Sequence, residues 1–501
     1  MLRRLLRSLT AGPRREERED PARRALALVE AGDLDGAEAA ASGALREDPG
    51  GALAHLALGR IALARGAPER ARESFDRALA AAPDLDAARA HLAALALRAG
   101  RHGEAIGHYR AALERNERSP ELLHALGAAL IETGDFDEAA SVLAQALALA
   151  PGRIAAREEL SRALFNARRF AEAADVERAL LRDDAGAIRL HLRLAHALLS
   201  QGQLDAGWAE YEWRLKQPGF TWGVRGLPRW DGGAPAGRTI LVVSEQGLGD
   251  AILFARFVPE LARRGARVRV LCRPPLERLF RSSFAAAGIQ VTADATGDVA
   301  DVDAFIHLLS LPHALGLGAA AVEPRTRYLA AEPPLGALWR QRVAAAPGLK
   351  VGLCWAGNAA RSGDEARSIA PEAVAPLDRG AGGVSWFSLQ ANLDPSAPRP
   401  FAMTDWMASA TDFADTAALV GALDLVISVD TSVAHCAAAV GTPLWLLAPH
   451  NVCWRWEMAG AESPWYPGVR SFRAARPQAW APVIDAMGAA LRRAVSGATA
   501  G

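Results

Sequence analysis

The sequence predicts an α-helical solenoid followed by an α/β region of two doubly wound lobes. Three observations carry this. Small residues and prolines recur at a 34-residue step from residue 18 to residue 221. A Gly-, Pro- and Trp-rich segment then breaks the pattern, and beyond it short β-branched runs alternate with amphipathic helical stretches, as in a parallel sheet covered by helices. The chain of 501 residues amounts to about three domain-equivalents at roughly 150 residues each, so a single small module is excluded.

After a tail at 1–17, the repeats come first. Pro49 and Pro83 lie one step apart and Pro151 two steps further, with Glu117 in the intermediate slot. The same step links Gly32, Gly66, Gly100, Gly134 and Gly202, with Arg168 in the one odd slot, and it aligns Ala37, Ala71, Ala105, Ala139 and Ala173. Large residues follow four positions later, at Phe75, Tyr109, Leu143 and Tyr211. Small residues let two helices cross closely, and each helix pair, unable to bury its own apolar face, must stack on the next. A unit of this length and pattern resembles the tetratricopeptide repeat, and about six copies fit between residues 18 and 221. The groove of such a solenoid implies peptide or protein docking; the alternative is a spacer or dimerisation arm. Groove-facing candidates Leu53, Leu56, Ala94, Leu97, His124 and Ile131 are mostly apolar and do not name the ligand.

Residues 222–238 read as a linker packed by Trp222 and Trp230. Four strand candidates follow in a first lobe at 239–330: TILVVS, ARVRVLC, GIQVTA and DAFIHLL. A connection at 331–348, carrying Trp339 on a helix, leads to a second lobe at 349–490 with KVGLCWAG, VSWFSLQ, DLVISVD and PLWLLAP, and to a tail at 491–501. Ligands are expected in the cleft at the carboxyl ends of these strands.

Composition narrows the function classes. Fifty-seven Lys+Arg balance fifty-seven Asp+Glu, so no net field draws the chain to nucleic acid or anionic lipid. Only Lys216 and Lys350 are lysines, and alanine is very frequent. Cys272, Cys354, Cys436 and Cys453 are widely spaced, without the CxxC or His cluster of a zinc site, which fits a reducing compartment. The first residues lack an apolar stretch of signal-peptide length, and no segment holds the roughly 18 uninterrupted apolar residues of a membrane span. A cytoplasmic protein without integral membrane association is expected.

Two loops could carry chemistry. Strand TILVVS runs into Glu245-Gln246-Gly247-Leu248-Gly249-Asp250 and then a helix. Gly247 and Gly249 admit a ligand close to the backbone, and Asp250 at the helix start suits either a general base toward an acceptor hydroxyl or a helix cap. The third glycine of a dinucleotide fingerprint and the Gly-Lys-Thr of a phosphate loop are missing. Strand DLVISVD runs into Asp430-Thr431-Ser432, with His435 one turn in. Hydroxyls and free N–H groups at a helix start suit a diphosphate; ordinary capping by Thr431 and Ser432, and a core histidine at 435, are the alternatives. A polar loop from Asn358 to Ser368 adds Arg361 and Arg367, either of which suits a counter-charge to phosphate or a solvated loop position. Asp301-Val302-Asp303 spells a DxD, but it precedes a strand, and no metal is expected. Trp454, Trp456, Trp465 and Tyr466 either wall the cleft or pack its lobes.

Taken in order, SEQGLGDAILFARFVPEL, HLLSLPHALG, VGLCWAGN with RSIAPEAVAPL, WFSLQ, DFADTAALVGALDLVISVDTSVAHCAAAVGTPLWLL and SPWYPGVRSFR resemble bacterial fusions of tetratricopeptide repeats to a glycosyltransferase of the ADP-heptose heptosyltransferase type. The architecture is also similar to the O-linked N-acetylglucosamine transferase, without that enzyme's asparagine ladder, since only Asn116 and Asn166 precede the linker. The resemblance implies a GT-B fold and an inverting, metal-independent transfer from a nucleotide sugar, with no other cofactor. It implies Asp250 as base and a donor-holding helix start at Asp430, Thr431 and nearby Ser432; the donor site expected around them also takes in Gln246, Gly247, Gly249, Asn358, Arg367, Ser368, Gln390 and His435. The family's phosphate-binding lysine has no lysine counterpart here; Arg367, just ahead of Pro371-Glu372, is the nearest match. The implied acceptor is a protein held by the repeats, flagellin being the leading case, with no nucleic acid involved. Glycan or lipopolysaccharide-core transfer, and a repeat scaffold with inactive lobes, are the alternative functions.

Overall fold

The computed structural model describes residues 20–498 apart from 117, 221–223, 225, 296–298, 319–326, 358–366, 380–381, 392, 394–395 and 458–462. It divides into two compact units, one ending at Asp183 and the other beginning at Asp184.

The first unit holds five antiparallel helix pairs among the described residues. They are Pro21–Ala31 with Leu34–Glu47, Ala52–Ala64 with Pro68–Ala81, Asp86–Arg98 with His102–Leu113, Pro120–Thr133 with Phe136–Leu149, and Ile154–Asn166 with Phe170–Asp183. The periodic positions have direct physical causes. Gly32, Gly66, Gly100 and Gly134 end the first helix of their pairs in the left-handed region, at φ between 72° and 86°. Arg168, which breaks the glycine series, keeps the same conformation at φ 63°, so the turn survives the substitution at a local conformational cost. Ala37, Ala71, Ala105, Ala139 and Ala173 are fully buried where the helices cross. A Cβ on Gly59 would lie 2.3 Å from the Phe75 ring, and one on Gly127 2.5 Å from Leu143 Cγ, so the aromatic or leucine of one helix occupies the space a side chain on the other would need.

At three of the repeat junctions the carbonyl that opens the next repeat is clamped by a side chain six residues on. His55 Nε2 lies 3.2 Å from the Pro49 carbonyl, Arg157 Nη2 donates to that of Pro151 at 2.7 Å, and Arg89 makes the equivalent bond to Pro83. Ion pairs also link neighbouring repeats, such as Arg65–Asp35 at 2.6 Å, Arg110–Glu138 at 2.6 Å and Arg162–Glu132 at 3.3 Å. These are exposed, and each is worth only about 0–1 kcal/mol, so the buried alanines and aromatics carry the stacking. Of the groove-facing candidates, Leu56, His124 and Ile131 are buried, leaving Leu53, Ala94 and Leu97 half-exposed.

The second unit opens with a sixth pair, Ile188–Ser200 and Leu204–Tyr211, with Gly202 at φ 75° between them. Two all-parallel sheets follow. The first has the order β3-β2-β1-β4, from β1 (Thr239–Val243), β2 (Arg267–Leu271), β3 (Gln290–Thr292) and β4 (Ala304–His307). The second has the order β10-β9-β8-β5-β6-β7, from β5 (Leu349–Cys354), β6 (Val384–Ser388), β7 (Thr404–Asp405), β8 (Leu425–Val429), β9 (Leu444–Ala448) and β10 (Arg470–Arg473). All eight strand candidates appear. The edge strands of the second sheet, β7 and β10, lie outside them, being short and lacking a continuous apolar run. Central β1 and β8 are buried throughout, as parallel strands covered on both faces must be.

The linker is tied to the first sheet rather than loose. Trp230 N–H donates to the Phe305 carbonyl at 2.7 Å, and its buried indole donates to Gly233 O at 3.1 Å. Trp222 lies outside the described residues. Trp208 of the sixth pair meets Trp454 edge-on at 5.3 Å and Phe254 at 5.7 Å, so that pair shares the α/β core. Beneath it lies a buried ion cluster: Arg214 donates to Glu245 Oε1 at 2.8 Å, to Glu212 Oε1 at 2.8 Å and to Ser310 Oγ at 2.7 Å. No helix of the described residues is long and apolar enough to cross a membrane.

Candidate functional site

The candidate site is built where β1 and β8 each run out of a sheet into a helix, Leu248–Phe254 after β1 and Ser432–Val440 after β8. These helices cross at Gly249, where a Cβ would lie 2.8 Å from His435 Cδ2 and 3.5 Å from Ser432 Cα. The glycine's requirement here is helix packing, and it brings the two predicted loops together.

Ahead of the first helix, Gln246 is held in the left-handed region at φ 63°, an uncommon conformation for a residue with a side chain. Tyr211 Oη donates to Gln246 Oε1 at 3.2 Å, and Arg273 reaches the Gln246 carbonyl at 3.3 Å. Gly247 occupies the cap position without a side-chain cap bond, and Asp250 sits in the first turn. The Asp250 carboxylate is engaged by Arg455. Its Oδ1 accepts from Arg455 Nε at 2.7 Å, and Arg455 Nη2 stands at the same distance. Both side chains are largely buried, at 11% and 14% exposure. Burial, the largest single influence, opposes the Arg455 charge, but Asp250 together with Tyr211, Cys453 and Asp430 outweighs it, so the guanidinium is held well above its ordinary value. Arg455 Nη2 also approaches Tyr211 Oη at 3.4 Å.

On the other side, Asp430 Oδ1 accepts from Trp456 Nε1 at 2.8 Å, and Cys453 Sγ lies 3.8 Å from Oδ2. Thr431 is the cap residue of Ser432–Val440 but makes no side-chain cap bond; its Oγ1 lies 3.1 Å from Ser428 Oγ. Arg367 reaches this helix start from the polar loop, donating from Nη1 to the Asp430 carbonyl at 2.9 Å. Ser368 Oγ accepts from Gly357 N–H at 3.0 Å. Gln390 spans the Ala356 backbone, accepting from its N–H at 3.1 Å and donating to its carbonyl at 3.0 Å. Gln390 therefore holds the turn after β5 in shape. Asn358 and Arg361 lie outside the described residues. Asp301 pairs with Arg269 at 2.7 Å and Asp303 accepts from Thr239 N–H at 2.7 Å, so the DxD residues bind the sheet itself. Among the described residues no group of three or more His, Cys, Asp or Glu side chains is gathered that could hold a metal.

His435 is a buried histidine, stacked on Trp456 with centroids 4.3 Å apart, Nδ1 3.0 Å from Tyr466 Oη and Nε2 3.9 Å from Asp430 Oδ1. Burial lowers its imidazole to about 4, against the opposing pull of Asp430 and Asp250. The folded state thus keeps this ring neutral where the unfolded chain, near 6.5, takes up a proton. Its contribution to stability is complete above pH 6.5 and drains away as pH falls toward 4, at about 1.4 kcal/mol per pH unit. His435→Gln is expected to flatten the acid limb of the stability profile by that slope, as read from urea unfolding at pH 5 and pH 7. Trp454, Trp456, Trp465 and Tyr466 are buried and pack against one another and Trp208.

Arg455, Tyr211 and the Arg214–Glu245 cluster were not among the residues expected from sequence. The available signal for Arg455 was a lone cation between two tryptophans, Trp454 and Trp456, whose burial obliges it to find a carboxylate.

A helical repeat unit and a parallel-sheet unit define the class. Residues 23–86, 96–157 and 130–185 match models of the tetratricopeptide repeat, and the N-terminal region is a solenoid of that kind. Over 481 residues the chain is 29% identical to Protein FlbA of Caulobacter vibrioides, spanning 87% of this chain and 77% of that one. Solved structures similar to it include YrrB, a TPR protein with an unusual peptide-binding site, at 18% identity and a TM-score of 0.34, covering 35% of this chain and 91% of that one. PilF of Pseudomonas aeruginosa matches at 18% identity and a TM-score of 0.33, covering 43% and 92%.

Proposed function

We propose that this chain is an inverting GT-B glycosyltransferase that moves a sugar from a nucleotide-sugar donor to a hydroxyl of a protein acceptor held by the repeats, without a metal. The observation that carries the reading is the crossing at Gly249 and His435, which sets Asp250 and the Thr431–Ser432 helix start on adjoining helices at the ends of two parallel sheets. In this reading Asp250 takes the proton of the attacking hydroxyl, whose oxygen bonds the anomeric carbon as the bond to the nucleotide diphosphate breaks on the opposite face. Arg367 and the N–H groups at Ser432 meet the charge that develops on the departing phosphate. Both Arg455 contacts fall on Asp250 Oδ1, so the acceptor's proton goes to Oδ2, or to Oδ1 once substrate entry loosens the pair.

That same pair favours a second reading, in which the sheets form an inactive scaffold and the carboxylate is a packing element. A thermal-shift series of the full chain against UDP-, ADP-, GDP- and CMP-sugars separates the two. The transferase reading expects one nucleotide to stabilise the protein, by about 2.7 kcal/mol at 100 times its Kd, with the effect lost in Arg367→Ala. No shift with any of the four supports the scaffold.

A further inference from the structure

One face of the helix Leu204–Tyr211 meets both segments that form the Asp250–Arg455 pair. Trp208 and Tyr211, three residues apart and so on the same face, are both buried. The Trp208 ring packs on Phe254, the last residue of the helix that carries Asp250, and on Trp454, which precedes Arg455 in the chain, with centroids 5.7 Å and 5.3 Å away. Tyr211 then brings a hydroxyl to the polar groups of the same two segments.

The bonds at that hydroxyl have a fixed direction. A phenol has one proton, and Tyr211 donates it to Gln246 Oε1 at 3.2 Å. A guanidinium only donates, so Arg455 Nη2, at 3.4 Å, has the hydroxyl oxygen as its acceptor. The same Nη2 stands 2.7 Å from Asp250 Oδ1, which also accepts from Nε at 2.7 Å. The guanidinium, 4.5 Å over the Trp454 ring, is thus oriented by the carboxylate and by the tyrosine oxygen together. The sixth helix pair also ties down the loop ahead of Asp250. Arg214, whose guanidinium lies 5.1 Å from the Tyr211 ring, donates to Glu245, and Tyr211 donates to Gln246, so consecutive loop residues are bound from adjacent turns. Gln246 requires such support because its backbone is held at φ 63°.

We infer that Tyr211 is a positioning residue for the candidate base: its hydroxyl turns Arg455 onto Asp250 Oδ1 and holds Gln246, so that the carboxylate meets the acceptor hydroxyl in one fixed direction. The inference rests on the transferase reading for its purpose, though not for its bonds. It gives the sixth helix pair a duty at the site beyond stacking.

The test uses the full chain and Tyr211→Phe, which keeps the ring and its packing and removes the hydroxyl alone. Sugar transfer is expected to lose about tenfold in kcat with the donor KM unchanged, since the Arg367 and Thr431 side proposed for the diphosphate is left intact. A variant that had merely lost packing would move both constants together and lower the melting temperature equally in every background. A double-mutant cycle read by melting temperature requires no activity. In a chain already carrying Asp250→Asn with Arg455→Met there is no pair left to orient, and the shift caused by Tyr211→Phe is expected to fall to about half or less of that in the unaltered chain, the Gln246 bond accounting for what remains. An unchanged kcat, a kcat and KM that move together, or an equal melting shift in both backgrounds overturns the inference. Absence of transfer by the unaltered chain removes the transferase reading alone, and the cycle then decides whether Tyr211 orients the pair.

Discussion

Arg214→Met lowers the stability of the α/β unit by about 3–5 kcal/mol, because it leaves Glu245 buried with no exposure and no cation. Glu245 accepts from Arg214 at 2.8 Å and from the Leu309 N–H at 3.3 Å, and the amide alone cannot replace a guanidinium. Burial already pushes the Glu245 carboxyl above its ordinary range, with Arg214 countering only in part. A carboxyl raised in the folded state favours folding when protonated and costs stability as pH rises from its unfolded value toward its folded one. The loss in Arg214→Met is therefore larger at pH 8 than at pH 5. Urea unfolding at the two pH values checks this, and Arg214→Met with Glu245→Gln is expected to recover much of the loss. A double variant no more stable than the single one would show that the charge pair is not the cause.

Asp250→Asn reduces sugar transfer by about 10²–10⁴-fold if Asp250 is the base, since the amide keeps the shape but takes no proton. The same change leaves Arg455 without its carboxylate in a mostly buried place, so stability falls as well. Activity and melting temperature must be read on the same preparation, below the variant's transition. Asp250→Asn with Arg455→Met separates the effects. It is expected to regain stability, because no charge is left unpaired, and to stay inactive, because no base is present. Recovery of both would make the pair structural and favour the scaffold.

The repeats were legible from sequence because each period obeys a local rule. A left-handed turn asks for glycine, and a helix crossing asks for alanine. The Arg168 slot shows how far that rule reaches: the residue departs from the pattern, yet its backbone takes φ 63° all the same. Central strands such as β1 and β8 were legible for a similar reason, since a strand covered on both faces must be largely apolar. Edge strands β7 and β10 face no such demand and left no such run.

The candidate site was legible only as two separate loops. Asp250 and Asp430 could each be named, but not the distances around them. Gly249 illustrates the gap: a glycine beside a candidate base reads as room for a ligand, whereas in the fold its missing side chain is the space occupied by His435. Gln390 likewise reads as a donor contact and in the fold clamps the Ala356 backbone.

The sequence by itself determined the helical repeat, its 34-residue period, the parallel strands and the two loops that end β1 and β8, all of which depend on neighbours within one period or one element. Only the tertiary structure decided that Arg455 closes on Asp250, that Tyr211 of the sixth helix pair reaches both Arg455 and Gln246, and that Arg214 is buried against Glu245. A charge removed from water must be matched by whichever opposite charge the fold brings within reach, and partners 31 and 205 residues apart leave no periodic trace along the chain.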